Sequence, residues 1–203
     1  LGEDGVCIDF EEVNDGYSHA EKLAVFTDEL LKRNHFSPSD LDAIAVSKGP
    51  GSYTGLRIGV SLAKGLCFGA DKPLIAIDTL KQMCLNSVVQ DVISEIEDPV
   101  LCPMLDARRM EVYTALFDKE IESLNDISPV ILDETSFAEE LQKHTMLFFG
   151  NGSEKFKPLC LSQNGRFLNG IWPSASQMTS LSEKSYIEEN YEDVAYFEPF
   201  YLK

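Results

Sequence analysis

The chain has 203 residues, enough to bury a core in one domain or two small ones, and its 44% hydrophobic and 25% charged content is that of an ordinary globular protein. A formal net charge of −17 gives an acidic surface that repels phosphate backbones, so the chain by itself is a poor nucleic-acid binder. No stretch is apolar for long enough to span a bilayer and no secretory signal is visible. The five cysteines, Cys7, Cys67, Cys84, Cys102 and Cys160, lack metal-ligand spacing and read as buried thiols of a reducing cytoplasm.

Gly2-Glu3-Asp4-Gly5 reads as a turn, followed by a strand over 6–11 with no upstream hairpin mate. Ser18-His19-Ala20-Glu21 is an S-x-x-E capping box that opens a helix to about Arg33. Ala20, Leu23, Ala24, Thr27, Leu30 and Leu31 line its broad apolar face, which Val25 and Phe26 extend. Ser37-Pro38-Ser39-Asp40 is a turn. The apolar run Ala43-Ile44-Ala45-Val46 then leads into a loop with Gly49, Pro50, Gly51 and Gly55. Helical spacing follows over 54–68, closed by Gly69, and a second apolar run, Pro73-Leu74-Ile75-Ala76-Ile77, comes directly after. Strand, glycine loop, helix and strand make a parallel βαβ unit, and the fold class is α/β.

The loop is not a Walker loop, since no Gly-Lys-Ser/Thr follows, and Gly49, Gly51 and Gly55 are spaced one residue too widely for a dinucleotide fingerprint. Two readings stay open. Its glycines serve a strand-to-helix turn capped by Thr54 or Ser52, or Gly49, Gly51, Ser52, Thr54 and Arg57 form an anion or ligand loop. Gly59 and Gly65 sit inside the helix, where each costs roughly 1 kcal/mol relative to alanine. Gly55, Gly59 and Ala63 recur every four residues as a smooth stripe that suits close packing, either on the chain's own sheet and first helix or on a partner.

Thr79 can cap a helix containing Leu80, Met83, Cys84, Val88 and Val92, before a polar break over 95–99 and a strand over 100–105. These patterns divide the chain into lobes 1–105 and 106–203, with the last helix able to pack back on the first lobe. The second lobe reads as strands over 111–117 and 130–132, a helix over 135–143, and a strand over 146–149 ending in the turn Gly150-Asn151-Gly152. That turn is plain or the vestige of a nucleotide-binding one. Asp106 with Arg108 reads as a charged exposed turn, or as a phosphate contact. Trp172-Pro173 precedes a helix from near Ser174, and the acidic tail from Glu183 to Glu198 is a solvated face or a seat for a basic partner. There is no G-x-S-x-G elbow, and with only His19, His35 and His144 no His-x-x-x-His pair.

The run Lys48-Gly49-Pro50-Gly51-Ser52-Tyr53-Thr54-Gly55-Leu56-Arg57-Ile58-Gly59, with Ala63-Lys64-Gly65 and Pro73-Leu74 behind it, resembles the TsaB (YeaZ) family. The stretch from Asp106 to Tyr113 and the ending Pro199-Phe200-Tyr201-Leu202-Lys203 resemble it too. The resemblance implies an ASKHA, ribonuclease-H-like fold of two lobes, with a further strand ahead of Leu1. It also implies a non-catalytic subunit that supports the TsaD-type transferase in making threonylcarbamoyladenosine beside the anticodon of tRNA. A TsaE-type P-loop ATPase would stand alongside, tRNA would be reached only through the partner, and the chain alone would pair with itself. The resemblance assigns the interface to the first two helices, with Leu23, Phe26, Leu30, Gly55, Gly59, Leu62 and Ala63 as its positions. No cofactor is implied for the chain itself, ATP or ADP being a matter for the assembled complex. The catalytic sister family carries N-H-x-E-G-H after the same loop, helix and strand, its two histidines binding metal. Here the frame reads Asp78-Thr79-Leu80-Lys81-Gln82-Met83, with Thr79 and Met83 in the histidine positions. The rival readings are a glycoprotease-type peptidase, a kinase-like phosphotransferase, or a stand-alone dimeric nucleotide-binding module.

Overall fold

The computed structural model describes residues 1–13 and 19–202, with the side chains of the first helix from Lys22 onward. The expected capping box from Ser18 to Glu21 lies outside the described side chains. The chain forms two compact units, Leu1–Thr79 with Ser174–Tyr201, and Leu80–Pro173 with Leu202. The sequence places a division at 105/106, whereas these units part at 79/80. The strand that ends at Asp106 is an integral member of the second unit's sheet, which is why the cut falls earlier.

In the first unit, β1 (Gly2–Glu3) and β2 (Val6–Cys7) form an antiparallel hairpin around Asp4 and Gly5, both at positive φ. The strand expected over 6–11 is therefore shorter, and it does have an upstream mate. Beyond Cys7 the chain is tied by other bonds: the Ile8 N–H donates to the Leu1 carbonyl, and Arg33 takes hold of Asp9 and Glu11. Helix α1 (His19–Arg33) ends in that contact, and Ser37 caps a 3-10 turn over Pro38–Asp40 as its sequence suggests.

Strand β3 (Ile44–Gly49), helix α2 (Tyr53–Ala70) and strand β4 (Leu74–Asp78) make the expected parallel βαβ unit, with Ile44 opposite Leu74. Helix α2 does not stop at Gly69. It runs to Ala70, and Asp71 takes the left-handed cap with φ 55°, its N–H donating to the Cys67 carbonyl. Val60, Ala63 and Cys67, at helical spacing, bury against Ile44, Val46 and Leu74 on one face of the two strands.

Hydrogen bonds from Arg33 hold Asp9 at 2.6 and 2.8 Å, and Asn34 donates to the same carboxylate. The Arg33 bond first, then Asn34, holds the Asp9 carboxyl well below its ordinary value of 3.8. A depressed folded-state pKa adds stability above the unfolded-state pKa, and that stability is lost as pH falls through and below it. The difference in melting temperature between the wild-type chain and Asp9→Asn is therefore expected to be largest near neutrality and to shrink below about pH 4. A gap that stayed constant down to about pH 2 would show that Asp9 contributes no linked charge.

The second unit begins with α3 (Thr79–Cys84) and α4 (Ser87–Ser94). The single helix expected across Thr79 to Val92 is split because Asn86 caps a new start, its side-chain oxygen accepting the Val88 N–H at 3.0 Å. Then come β5 (Val100–Asp106), β6 (Glu111–Thr114), β7 (Ser128–Ile131), α5 (Ala138–Lys143), β8 (Met146–Phe149), α6 (Ser153–Phe156) and β9 (Gly165–Leu168). Helix α5 starts later than 135 because the Asp133 carboxylate captures Thr135 and Ser136 in a turn. Sequence periodicity shows neither α6 nor β9. The sheet order is β7-β6-β5-β8-β9, with β5, β8 and β9 parallel and β6 and β7 antiparallel. Alternate residues sort to its two faces: Leu101, Leu105, Leu147 and Phe149 meet α3 and α4, while Val100, Cys102, Met104, Met146 and Phe148 meet α5 and α6. The result is a three-layer sandwich.

The chain then returns to the first unit through a 3-10 turn over Ala175–Gln177, capped by Ser174, and α7 (Thr179–Ile187). Met178 and Leu181 cover Ile75 and Ile77, and Val194 and Phe197 join the core under α2. No helix among the described residues is long and apolar enough to cross a membrane.

Candidate partner interface and glycine loop

The loop after β3 is shaped by the chain's own tail. Gly49 has φ +110°, and a β-carbon there would lie 2.7 Å from the Phe200 carbonyl oxygen and 3.1 Å from Leu56 Cδ1. The Phe200 N–H donates to the Lys48 carbonyl at 2.7 Å, so the tail crosses the loop as a strap. Ser52, not Thr54, is the N-cap of α2, its Oγ accepting the Gly55 N–H at 3.3 Å. The Arg57 guanidinium lies 4.4 Å over the Tyr53 ring, and Tyr53 and Tyr201 have their centroids 5.0 Å apart. A hydrogen bond with Tyr201, above the other causes, raises the Arg57 pKa further. Of the five residues named for an anion loop, Gly49 is buried under the tail and Arg57 is engaged by two tyrosines. Gly51, Ser52 and Thr54 remain exposed.

The two helices named as an interface are placed more informatively. On α1 only Leu31 is buried among the described side chains; Phe26 and Leu30 are half-buried, and Leu23 and Val25 are exposed. On α2 a β-carbon at Gly59 would make one ordinary contact, 3.7 Å to Val46, and at Gly65 it would meet nothing within 4 Å. Packing among the described residues thus demands a glycine at neither position. Ala63 is different: at 5% exposure it belongs to the unit's own core, and of the seven positions it alone offers no surface. Gly55, Gly59 and Leu62 are half-buried. Tyr53 and Phe68 are exposed apolar residues on the same helix that sequence reasoning passed over; Phe68, at 87% exposure, lies off the Val60, Ala63, Cys67 stripe, and that offset was the available signal. Since no atom of the described residues lies within 4 Å of a β-carbon at Gly65, Gly65→Ala is expected to stabilise the chain by roughly 1 kcal/mol in chemical denaturation. A loss of stability would mean that Gly65 answers a constraint within the fold.

The residues standing in for the sister family's histidines are absorbed into packing. Thr79 Oγ1 and Ser47 Oγ share a hydrogen bond of 2.5 Å, and Met83 is fully buried with Leu80 and Cys84. Among the described residues no three His, Cys, Asp or Glu side chains gather to hold a metal ion. The buried Cys102 thiol, 3.3 Å from Thr114 Oγ1, is pushed up to about 12 by burial, unsuited to act as a nucleophile near neutrality.

A sequence model of the family described as "TsaD: tRNA N6-adenosine threonylcarbamoyltransferase" matches residues 16–197. The chain belongs to this family. Several relatives over most of its length are TsaB proteins, in agreement with the resemblance carried by Lys48 to Gly59. The tRNA threonylcarbamoyladenosine biosynthesis protein TsaB of Bacillus subtilis is 32% identical over 146 residues, 70% of this chain and 60% of that protein. The protein of the same name from Haemophilus influenzae is 27% identical over 92% of this chain and 80% of that one. A solved structure from Pseudomonas aeruginosa, described as similar to the peptidase YeaZ, superposes with a TM-score of 0.76 at 22% identity, over 91% of this chain and 84% of that one. The fold is thus the two-lobed ASKHA type expected from the sequence.

Proposed function

We propose that this chain is the non-catalytic partner subunit of a complex that transfers a threonylcarbamoyl group to the adenosine beside the anticodon of tRNA. It pairs through α1 and α2 with the TsaD-type transferase of its own host and supports its activity, in the cytoplasm. A TsaE-type ATPase works alongside, and ATP or ADP belongs to the assembled complex. The observation that carries this reading, in a chain of this family, is a helix with glycines that its own packing does not require. Gly59 and Gly65 keep part of α2 smooth, Phe68 on the same helix is exposed, and α1, which contacts α2, leaves Leu23 and Val25 exposed. A helix pays for such glycines in stability, and a partner's close approach gives them a use. The chain also pairs with itself through the same helices when the transferase is absent.

The reading against an enzyme rests on Thr79 and Met83, whose side chains give no imidazole pair. The test is to assay the isolated full-length chain for bound metal and ATP turnover, then to assay the transferase with and without it. The expected result is neither metal nor turnover in the chain alone, and a transferase whose modification of tRNA depends on the chain. Turnover by the isolated chain, with a transferase indifferent to it, would reverse the assignment.

A further inference from the structure

The second unit contains a turn whose sequence opposes its geometry. Between β5 and β6 the chain reverses through Arg108-Arg109-Met110, and the Ala107 N–H donates to the Glu111 carbonyl across it. Arg108 and Arg109 have φ of 72° and 46°. Glycine or asparagine fits such backbone readily; two successive long side chains do not. The surroundings hold the turn in this form. Asp106 Oδ1 accepts the Arg108 N–H at 2.6 Å and a bond from Lys155 Nζ at 2.7 Å, and the same ammonium donates to the Glu111 carbonyl at 3.0 Å. On the other side the Asp106 N–H donates to Asn151 Oδ1 at 2.9 Å. Gly152, whose N–H donates to the Met104 carbonyl, lies too close to Leu105 and Asp106 to carry a side chain.

Strained backbone that its surroundings over-determine is concentrated where function needs it. Here it displays two guanidiniums that have no hydrogen-bond or ion-pair partner among the described residues, while the adjacent Asp106 is already neutralised by Lys155. The turn stands at the carboxyl ends of the parallel strands β5 and β8, the edge at which open α/β sheets receive their ligands. Guanidinium forks match phosphate oxygens. At physiological salt, charge is screened beyond about 8 Å, so the local pair can count for more than the chain's overall acidity.

We infer that, departing from the expectation that tRNA is reached only through the partner, Arg108 and Arg109 contact the phosphodiester backbone of tRNA once the chain is in its complex, an inference that rests on the function proposed above. The transferase partner carries most of the affinity, and this turn adds two phosphate contacts.

The test uses the full chain with the TsaD-type protein of its own host, in three forms: wild type, Arg108→Asn with Arg109→Gly, and Arg108→Lys with Arg109→Lys. Each complex is first sized, and tRNA binding is then measured across a salt series. All three are expected to assemble, and the Asn-Gly form is expected to melt higher because the turn is relaxed. Its tRNA affinity is expected to fall on the order of tenfold, with the log–log salt slope reduced by about two, while the double-lysine form keeps most of the slope. Unchanged affinity and slope in the Asn-Gly form would overturn the inference. Loss of assembly in that form alone would also overturn it, assigning the turn to protein docking. Failure of the wild-type pair to assemble would sink the functional reading and this inference with it.

Discussion

Gly59→Leu is expected to abolish pairing with the transferase partner, weakening it on the order of 100-fold or more, about 3 kcal/mol, while the chain stays folded. The argument is local. Among the described residues a β-carbon at position 59 would make one ordinary contact, 3.7 Å to Val46, so the fold has room for a side chain there, and the further carbons of a leucine are expected to fill surface that the proposed partner helix needs. Leucine also removes the helix-propensity penalty of glycine, so the monomer's melting temperature should hold or rise. Leu23→Arg, at an exposed position of α1, tests the other helix of the proposed interface and should weaken pairing as well. Unchanged complexes from both variants would move the interface away from these helices.

The largest stability effect is expected at Phe148, on the middle strand of the parallel part of the second unit's sheet. Its side chain is fully buried, with the rings of Phe137, Phe156 and Phe167 centred 5.7, 5.0 and 5.1 Å away. Phe148→Ala removes the ring shared by these contacts and leaves a cavity in a layer bounded by a sheet and short helices, with little freedom to collapse. The expected cost is about 3–5 kcal/mol in chemical denaturation. Phe148→Leu keeps most of the volume and should cost distinctly less. An alanine variant within about 1 kcal/mol of wild type would mean that α5 and α6 are not firmly packed on the sheet.

What the sequence disclosed depended on how local each signal was. The βαβ unit from Ile44 to Asp78 was legible because two apolar runs flank a glycine loop and an amphipathic helix, all within 35 residues. The end of α2 was misread because Gly69 looks like a stop, whereas Asp71 supplies the left-handed cap. Strand β9 has little period-two contrast in Gly-Arg-Phe-Leu, and the crossover from β8 holds only the four-residue helix α6, too short to show a period, so only tertiary pairing reveals it. The sequence allowed for a last helix packed back on the first lobe, but the cut at 79/80 was not legible, because no periodicity shows that β5 pairs inside the second unit's sheet. At the candidate site the glycine stripe was readable, but Ala63 shares its four-residue spacing while facing the core. Nothing in the spacing told of the tail that covers Gly49, whose positive φ and close contact only the fold explains.

The most direct test of the central claim is to co-express the full chain with the TsaD-type protein of its own host, purify through a tag on one of them, and determine the mass of what elutes. The account predicts a stable complex of equal numbers of the two chains, lost with Gly59→Leu. Elution of the chain alone or only with itself, with the transferase fully active in its absence, would contradict it.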